Sequence, residues 1–125
     1  MDLKSYFDNT TGTGILSTAN GKGIVDAAIY ARPHIMADGT VAFIMRDRLS
    51  HENLGSNPHA VYLFIEEGPG RKGVRLYLTM TEEEKNAPAI ETLKRSSRPY
   101  AQGEDRFLVF FSVDRQRPLV GDYDE

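Results

Sequence analysis

The sequence predicts one mainly β domain of α+β character, an antiparallel barrel or sandwich of about six strands with two or three short helices. Short apolar runs recur along the chain with turn residues between them. The Asn20-Gly21 pair between two such runs is a strong hairpin signal. The 125 residues, taken as a single domain over 1–125, are enough to bury roughly two-thirds of the unfolded surface, so the chain needs no cross-links to fold.

Composition narrows the function classes. Cysteine is absent, which excludes a disulfide framework, a thiolate metal site and a cysteine nucleophile, and suits a reducing cytoplasm as the location. The opening MDLKSYFDNTTG has neither the basic start nor the apolar stretch of a secretory signal. No run approaches the roughly 20 apolar residues a membrane helix needs. A net charge of -3, from 15 basic and 18 acidic side chains well mixed along the chain, gives no long-range attraction to nucleic acid. Neither nucleic acid nor a membrane is therefore expected as a partner.

Residues 2–9 predict a short helix with Leu3, Tyr6 and Phe7 on one side, lying against the end of the sheet. Residues 10–14 read as a breaker cluster, 15–19 as a strand, and Asn20-Gly21-Lys22-Gly23 as its turn. The return strand, IVDAAIYA over 24–31, sets Ile24, Asp26, Ala28 and Tyr30 on one face and Val25, Ala27, Ile29 and Ala31 on the other. Its three alanines leave a bare backbone, suited either to close packing against protein or to a flat ligand approaching the peptide groups. Arg32-Pro33-His34 interrupts the pattern, and Ala37-Asp38-Gly39-Thr40 turns the chain into the next strand.

The stretch over 41–61, VAFIMRDRLSHENLGSNPHAV, packs a strand, a charged turn, a helix and a strand re-entry into one unit. Alternation puts Val41, Phe43 and Met45 on one face and Ala42, Ile44 and Arg46 on the other. Ser50 is placed to cap the helix by accepting from the amides of His51, Glu52 and Asn53. Leu49 and Leu54 stand at staple positions. The helix must stop near Gly55, since Asn57 precedes Pro58. A helix start with free amides beside Arg46 and Arg48 is the local chemistry of a phosphate site, although an ordinary strand-to-helix turn with solvated arginines has the same pattern.

The run AVYLFIEE over 60–67 is apolar on both faces, which predicts a central strand. A basic loop over 68–73 leads into VRLYLTMT, where Val74, Leu76, Leu78 and Met80 turn one way. Thr81-Glu82-Glu83-Glu84 has the form of a capping box and predicts a helix that Pro88 kinks or restarts, carried on by Ile90, Leu93, Lys94 and Arg95. Residues 96–103 read as a loop, 106–113 as a last strand, and 114–125 as a loose acidic tail. So small a barrel leaves no roomy interior. A sizeable ligand is expected outside it, between two subunits.

The succession GILSTANGKGIVDAAIY, DGTVAFIMRDR and SHENLGSNPHAVYLFIEE resembles the FMN-binding split-barrel proteins related to pyridoxamine 5'-phosphate oxidase, over about residues 14–113. The best single piece is Asn53-Leu54 followed by Asn57-Pro58. The resemblance implies an antiparallel six-stranded split β-barrel with short flanking helices, a homodimer, and an FMN at each of two interfacial sites. The flavin ring would then lie along Asp26, Ala27, Ala28 and Ile29, and the phosphate near Arg46, Arg48, Ser50, His51 and Asn53. Where many members carry a lysine this chain has Ser50, and Leu49 stands at a position that is often basic. Charge compensation would fall to Arg46 or Arg48, and a deazaflavin in place of FMN, or no cofactor, stays open.

Other constellations carry less. His34, His51 and His59 lack metal-ligand spacing, and Ser17, Ser50 and Ser112 have no nucleophile-elbow context. Glu66 and Glu67 fall on opposite faces of one strand. The resemblance points to a flavin-dependent oxidoreductase with substrate and catalytic residues unassigned. A non-catalytic flavin carrier or sensor, or a structural dimer without cofactor, fits the same residues.

Overall fold

The computed structural model describes residues 2–94 and 103–121. The first helix, α1 (Leu3–Asn9), is capped by the Asp2 carboxylate, which accepts from the amides of Lys4 at 3.1 Å and Ser5 at 3.3 Å. Its far end is closed by Arg32, whose guanidinium donates to the carbonyls of Phe7 (2.7 Å) and Thr10 (2.9 Å). Leu3 and Phe7 turn inward, and Phe7 meets Phe64 edge-on with 5.3 Å between ring centroids.

Strand β1 (Gly12–Ala19) begins within the expected breaker cluster, because Gly12, Thr13 and Gly14 pair with the end of the central strand. Gly14 is required there. A Cβ at that position would stand 1.9 Å from the Tyr62 hydroxyl. The hairpin to β2 (Val25–Ile29) forms as expected: Asn20 Oδ1 accepts from the amides of Lys22 and Ile24, and Gly23 supplies φ +81°. The remaining elements are β3 (His34–Ile35), β4 (Val41–Arg46), α2 (Leu49–Ser56), β5 (His59–Glu66), β6 (Gly73–Lys85), α3 (Ala89–Leu93) and β7 (Arg106–Pro118).

All pairings are antiparallel, in the order β2-β1-β5-β6-β7-β4-β3. The seventh strand is the two-residue β3, which the Arg32-Pro33-His34 break concealed. β5 is central, flanked by β1 and β6, as its two apolar faces implied. The sheet curls until distant strands meet across the core. Phe43 of β4 lies 5.0 Å from Tyr62 of β5 between centroids, and the Tyr62 hydroxyl donates to the Tyr30 carbonyl at 3.1 Å. Leu16, Val41, Met45, Phe64, Val74, Leu76, Leu78, Val109 and Phe111 fill the interior with them.

Two expectations fail at the C-terminal end. Thr81-Glu82-Glu83-Glu84 does not start a helix: β6 runs on through it, with Glu82 opposite Phe110 and Lys85 opposite Phe107. Pro88 leaves too few residues for a stable helix nucleus, whereas β7 offers a waiting ladder. Beyond β5 this segment is an exposed margin, and its charges suit an edge that must not recruit another strand. Pro88 instead sets the start of α3, whose Ile90 packs with Ala42, Ala87 and Leu108 outside the barrel. The tail is not loose throughout, because residues up to Pro118 belong to β7, with Arg117 opposite Arg75 and Pro118 opposite Val74. Arg95, most of the expected 96–103 loop and residues 122–125 lie outside the described residues.

The outer face of β2, β1, β5 and β6 is apolar and uncovered. Ile15 lies between Ile29 and Leu63 in register, and Val61 between Ser17 and Tyr77. Val25 is 77% exposed and Ile29 71%.

Candidate functional site

The helix that follows β4 starts earlier than its sequence suggests. Arg48, not Ser50, is the residue at its N-cap, and no side chain caps it. The Arg48 amide bonds back to the Arg46 carbonyl at 2.9 Å, which turns the chain sharply enough for Leu49 to open the helix. Ser50 therefore sits inside the first turn. It is only 3% exposed and lies beside the Tyr30 phenol, where it favours the ionised form. Leu49 becomes the first helical residue, 52% exposed, so the expected staple with the buried Leu54 has no geometry in which to form. The helix start thus presents its backbone amides without a capping side chain in front of them.

A groove of about 640 Å³ runs from β2 to this helix start, within the size range of small-molecule sites. One wall is Asp26, Ala28 and Ile29 of β2 with Tyr30 and Ala31 beyond it; the other is Ile44 and Arg46 of β4 with Arg48, Leu49 and Ser50. It lies outside the barrel, because Arg46 belongs to the β4 face opposite Phe43 and Met45. Six of the nine residues singled out from sequence line it: Asp26, Ala28, Ile29, Arg46, Arg48 and Ser50.

The other three lie elsewhere. Ala27 turns to the opposite face of β2, opposite Ser17. Asn53 is buried and donates to Thr18 Oγ1 at 3.1 Å, fastening α2 to β1. His51 sits between two carboxylates, Nδ1 3.2 Å from Asp47 and Nε2 2.5 Å from Glu83. Its ring stacks on Phe107 at 3.8 Å.

Two groups were not anticipated. Tyr30 enters the groove from the end of β2. Burial pushes its phenol above the ordinary value, a hydrogen bond with Ser50 opposes the rise and the Asp26 carboxylate adds to it. The signal was present in the alternation that puts Tyr30 on the face of Asp26 and Ala28. Glu104 reaches both arginines, its Oε1 3.6 Å from Arg46 Nε and 3.4 Å from Arg48 Nη2. Nothing local in the sequence marks that contact.

A second hollow, about 390 Å³ and largely apolar, opens on the outer face beside Ala19, Val25, Val61 and Tyr77. Near it Thr79 Oγ1 donates to Asp114 at 2.5 Å and contacts His59 Nδ1 at 3.2 Å. Among the described residues no cluster of three or more His, Cys, Asp or Glu could hold a metal ion. No helix there is long and apolar enough to cross a membrane.

No family model and no curated protein matches the chain, but solved structures do. An FMN-binding protein from Syntrophomonas wolfei superposes with a TM-score of 0.70 at 14% identity, over 97% of this chain and 86% of the other. A pyridoxamine 5'-phosphate oxidase-like protein from Lactobacillus delbrueckii gives 0.69 at 13%, over 94% and 92%. The chain has the split-barrel fold of these proteins. That split barrel also occurs in a heme binding protein from Mycobacterium smegmatis, with a TM-score of 0.61 at 18% identity over 99% of this chain and 55% of that one. At such identities the likeness establishes the fold, and the chemistry has to come from the groove.

Proposed function

We propose that the chain is an FMN-binding protein of the cytoplasm, a homodimer with two flavin sites along its interface, acting as a flavin-dependent oxidoreductase on a small molecule or redox partner. The observation that carries this reading is the single groove joining the alanine-rich edge of β2 to Arg46, Arg48 and the open start of α2. A flat ring needs a strand without bulk, and Ala28 provides it. A phosphate needs cations and unpaired amides, and the far end of the groove provides both. The donor set fits FMN without the lysine that Ser50 replaces, since two guanidinium groups stand within reach.

When bound, the flavin supplies the electron-transfer chemistry. The chain's own residues would orient it: the β2 backbone beside Asp26, Ala27, Ala28 and Ile29 would meet the ring edge, and Arg46, Arg48 and Ser50 would hold the phosphate. His51 and Asn53 act as positioning residues that hold α2 against β6 and β1. The apolar outer face of β2, β1, β5 and β6 is the surface assigned to the partner subunit.

A second reading, a flavin carrier without a substrate of its own, is favoured by the lining. No histidine, lysine or cysteine is among the described residues that line the groove, so a proton donor would have to be Tyr30, Asp26 or Ser50. Oxidation of reduced flavin that depends on an added substrate separates the two.

The test of the main reading is the absorption spectrum of the purified protein together with titrations of FMN, riboflavin and a deazaflavin. FMN is expected to bind more tightly than riboflavin. Replacing Arg46 and Arg48 together by alanine is expected to erase that preference, each lost charge-assisted contact being worth about 1.5–3 kcal/mol. Equal affinity for FMN and riboflavin in the wild type would sink it.

A further inference from the structure

The two guanidinium groups at the anion end of the groove already share an anion of their own chain. A single oxygen, Glu104 Oε1, lies 3.6 Å from Arg46 Nε and 3.4 Å from Arg48 Nη2. The glutamate side chain is 18% exposed, against 42% and 68% for the arginines, so it is the more enclosed partner. Asp26 faces the same groove. Counting formal charges among the described residues, Arg46 and Arg48 are matched by Asp26 and Glu104, which leaves no net positive charge in that set to meet an arriving anion.

We infer that Glu104 is the specificity-determining residue of the groove's anion end, a built-in carboxylate that a ligand must displace from Arg46 and Arg48 before it can bind. Its effect is to select by the kind of anion. A ligand carboxylate offers the arginines what Glu104 already offers, so the exchange gains little. A phosphate monoester carries close to two charges and three acceptor oxygens, enough to engage both guanidinium groups and the amides at the start of α2 together. The groove therefore admits phosphorylated ligands and rejects carboxylates of similar size. Only the identity of the ligand rests on the flavin reading proposed above; the exchange at the arginines rests on the ion pairs alone.

The experiment compares wild type with Glu104→Gln, which keeps the size of the side chain and removes its charge. Calorimetric titration with inorganic phosphate and with acetate needs no flavin. Phosphate affinity is expected to rise at least tenfold in the variant, acetate to bind the variant measurably though not the wild type, and Arg46→Ala/Arg48→Ala in the Glu104→Gln background to remove both gains. Equal phosphate affinity in wild type and variant overturns the inference, and so does a gain that survives loss of the arginines. Thermal melting of each variant confirms that it is folded, and Glu104→Ala, expected to show the same gain, replaces Glu104→Gln if that variant does not fold. FMN and riboflavin titrations form separate arms. If FMN binds neither protein while the phosphate gain persists, the flavin reading fails and the role of Glu104 stands. If FMN binds both with one affinity, the flavin reading stands and the role of Glu104 fails.

Discussion

His51 Nε2 lies 2.5 Å from the Glu83 carboxylate, so the first turn of α2 is tied to the far extension of β6. Asp47 contacts the other ring nitrogen at 3.2 Å, and Phe107 stacks beneath the ring. In these contacts the His51 side chain joins helix to sheet. His51→Ala should lower unfolding stability by about 1–2 kcal/mol, the scale of a partly exposed charge-assisted bond with some lost ring packing. FMN affinity should fall with it while riboflavin affinity holds, because only the phosphate end depends on the helix start. Denaturant melts and paired flavin titrations read the two effects. A variant as stable as wild type would show the clasp to be idle.

Ala28 lines the groove from β2 with no side chain beyond Cβ. A phenylalanine there has open space to occupy, so the fold should survive with little cost, yet flavin should be excluded by overlap. Circular dichroism is expected to match wild type while flavin binding is lost. Retained binding would mean that the alanine serves ordinary packing.

Val61 stands in the middle of the uncovered outer face, between Ser17 and Tyr77 in register. A dimer through this face would bury it, and a contiguous apolar surface of this kind is uncommon on a protein that works alone. Light scattering of wild type should give twice the chain mass, and Val61→Glu should give the chain mass with unchanged secondary structure. A wild-type monomer, or a Val61→Glu dimer, places the partner surface elsewhere.

Two tyrosines make the fold sensitive to alkali. Burial, followed by the hydrogen bond to Glu66 and the charge of that carboxylate, raises the Tyr6 phenol far above its ordinary value, and burial raises Tyr30. The unfolded chain loses these protons at about pH 10. The folded chain holds them longer. Their contribution is therefore complete below about pH 10 and is lost as pH rises from there toward the folded values. Urea midpoints should stay level to about pH 9 and fall beyond about pH 10, and Tyr6→Phe should make the fall shallower. A flat profile through that range would contradict the partly buried placement of both rings.

How much of this was legible in the sequence depends on how far each signal reaches. The faces of β4, β5 and β6 follow from alternation alone, and the first hairpin from Asn20-Gly21, because those signals lie within the element they specify. Asp26, Ala28, Arg46 and Arg48 were joined in one site only through the family resemblance, because no pattern within either segment links β2 to the helix start. The errors arose where a distant strand decided the outcome. Thr81-Glu82-Glu83-Glu84 has a helical signature, but β7 pairs with it. Ser50 has the chemistry of a cap, but the turn at Arg46 and Arg48 moves the helix start forward and leaves Ser50 buried inside the first turn. Glu104 meets Arg46 and Arg48 through the pairing of β4 with β7, and Glu83 meets His51 through the pairing of β7 with both β6 and β4, which no local pattern encodes.

The position of β4 has a consequence for how the molecule comes into being. Pairs such as β1–β2, β5–β6 and β6–β7 join neighbours in the chain, whereas β4 is held by β7, which follows it only after two intervening strands and two helices. Closing a long loop costs entropy before its contacts can repay it, so the local hairpins gather first and β4 is seated late. On the ribosome it has no partner strand of any length until residues 106–118 emerge. One wall of the groove therefore belongs to the earliest hairpin and the other to the last strand captured, so a nascent chain completes its ligand site only after β7 has emerged.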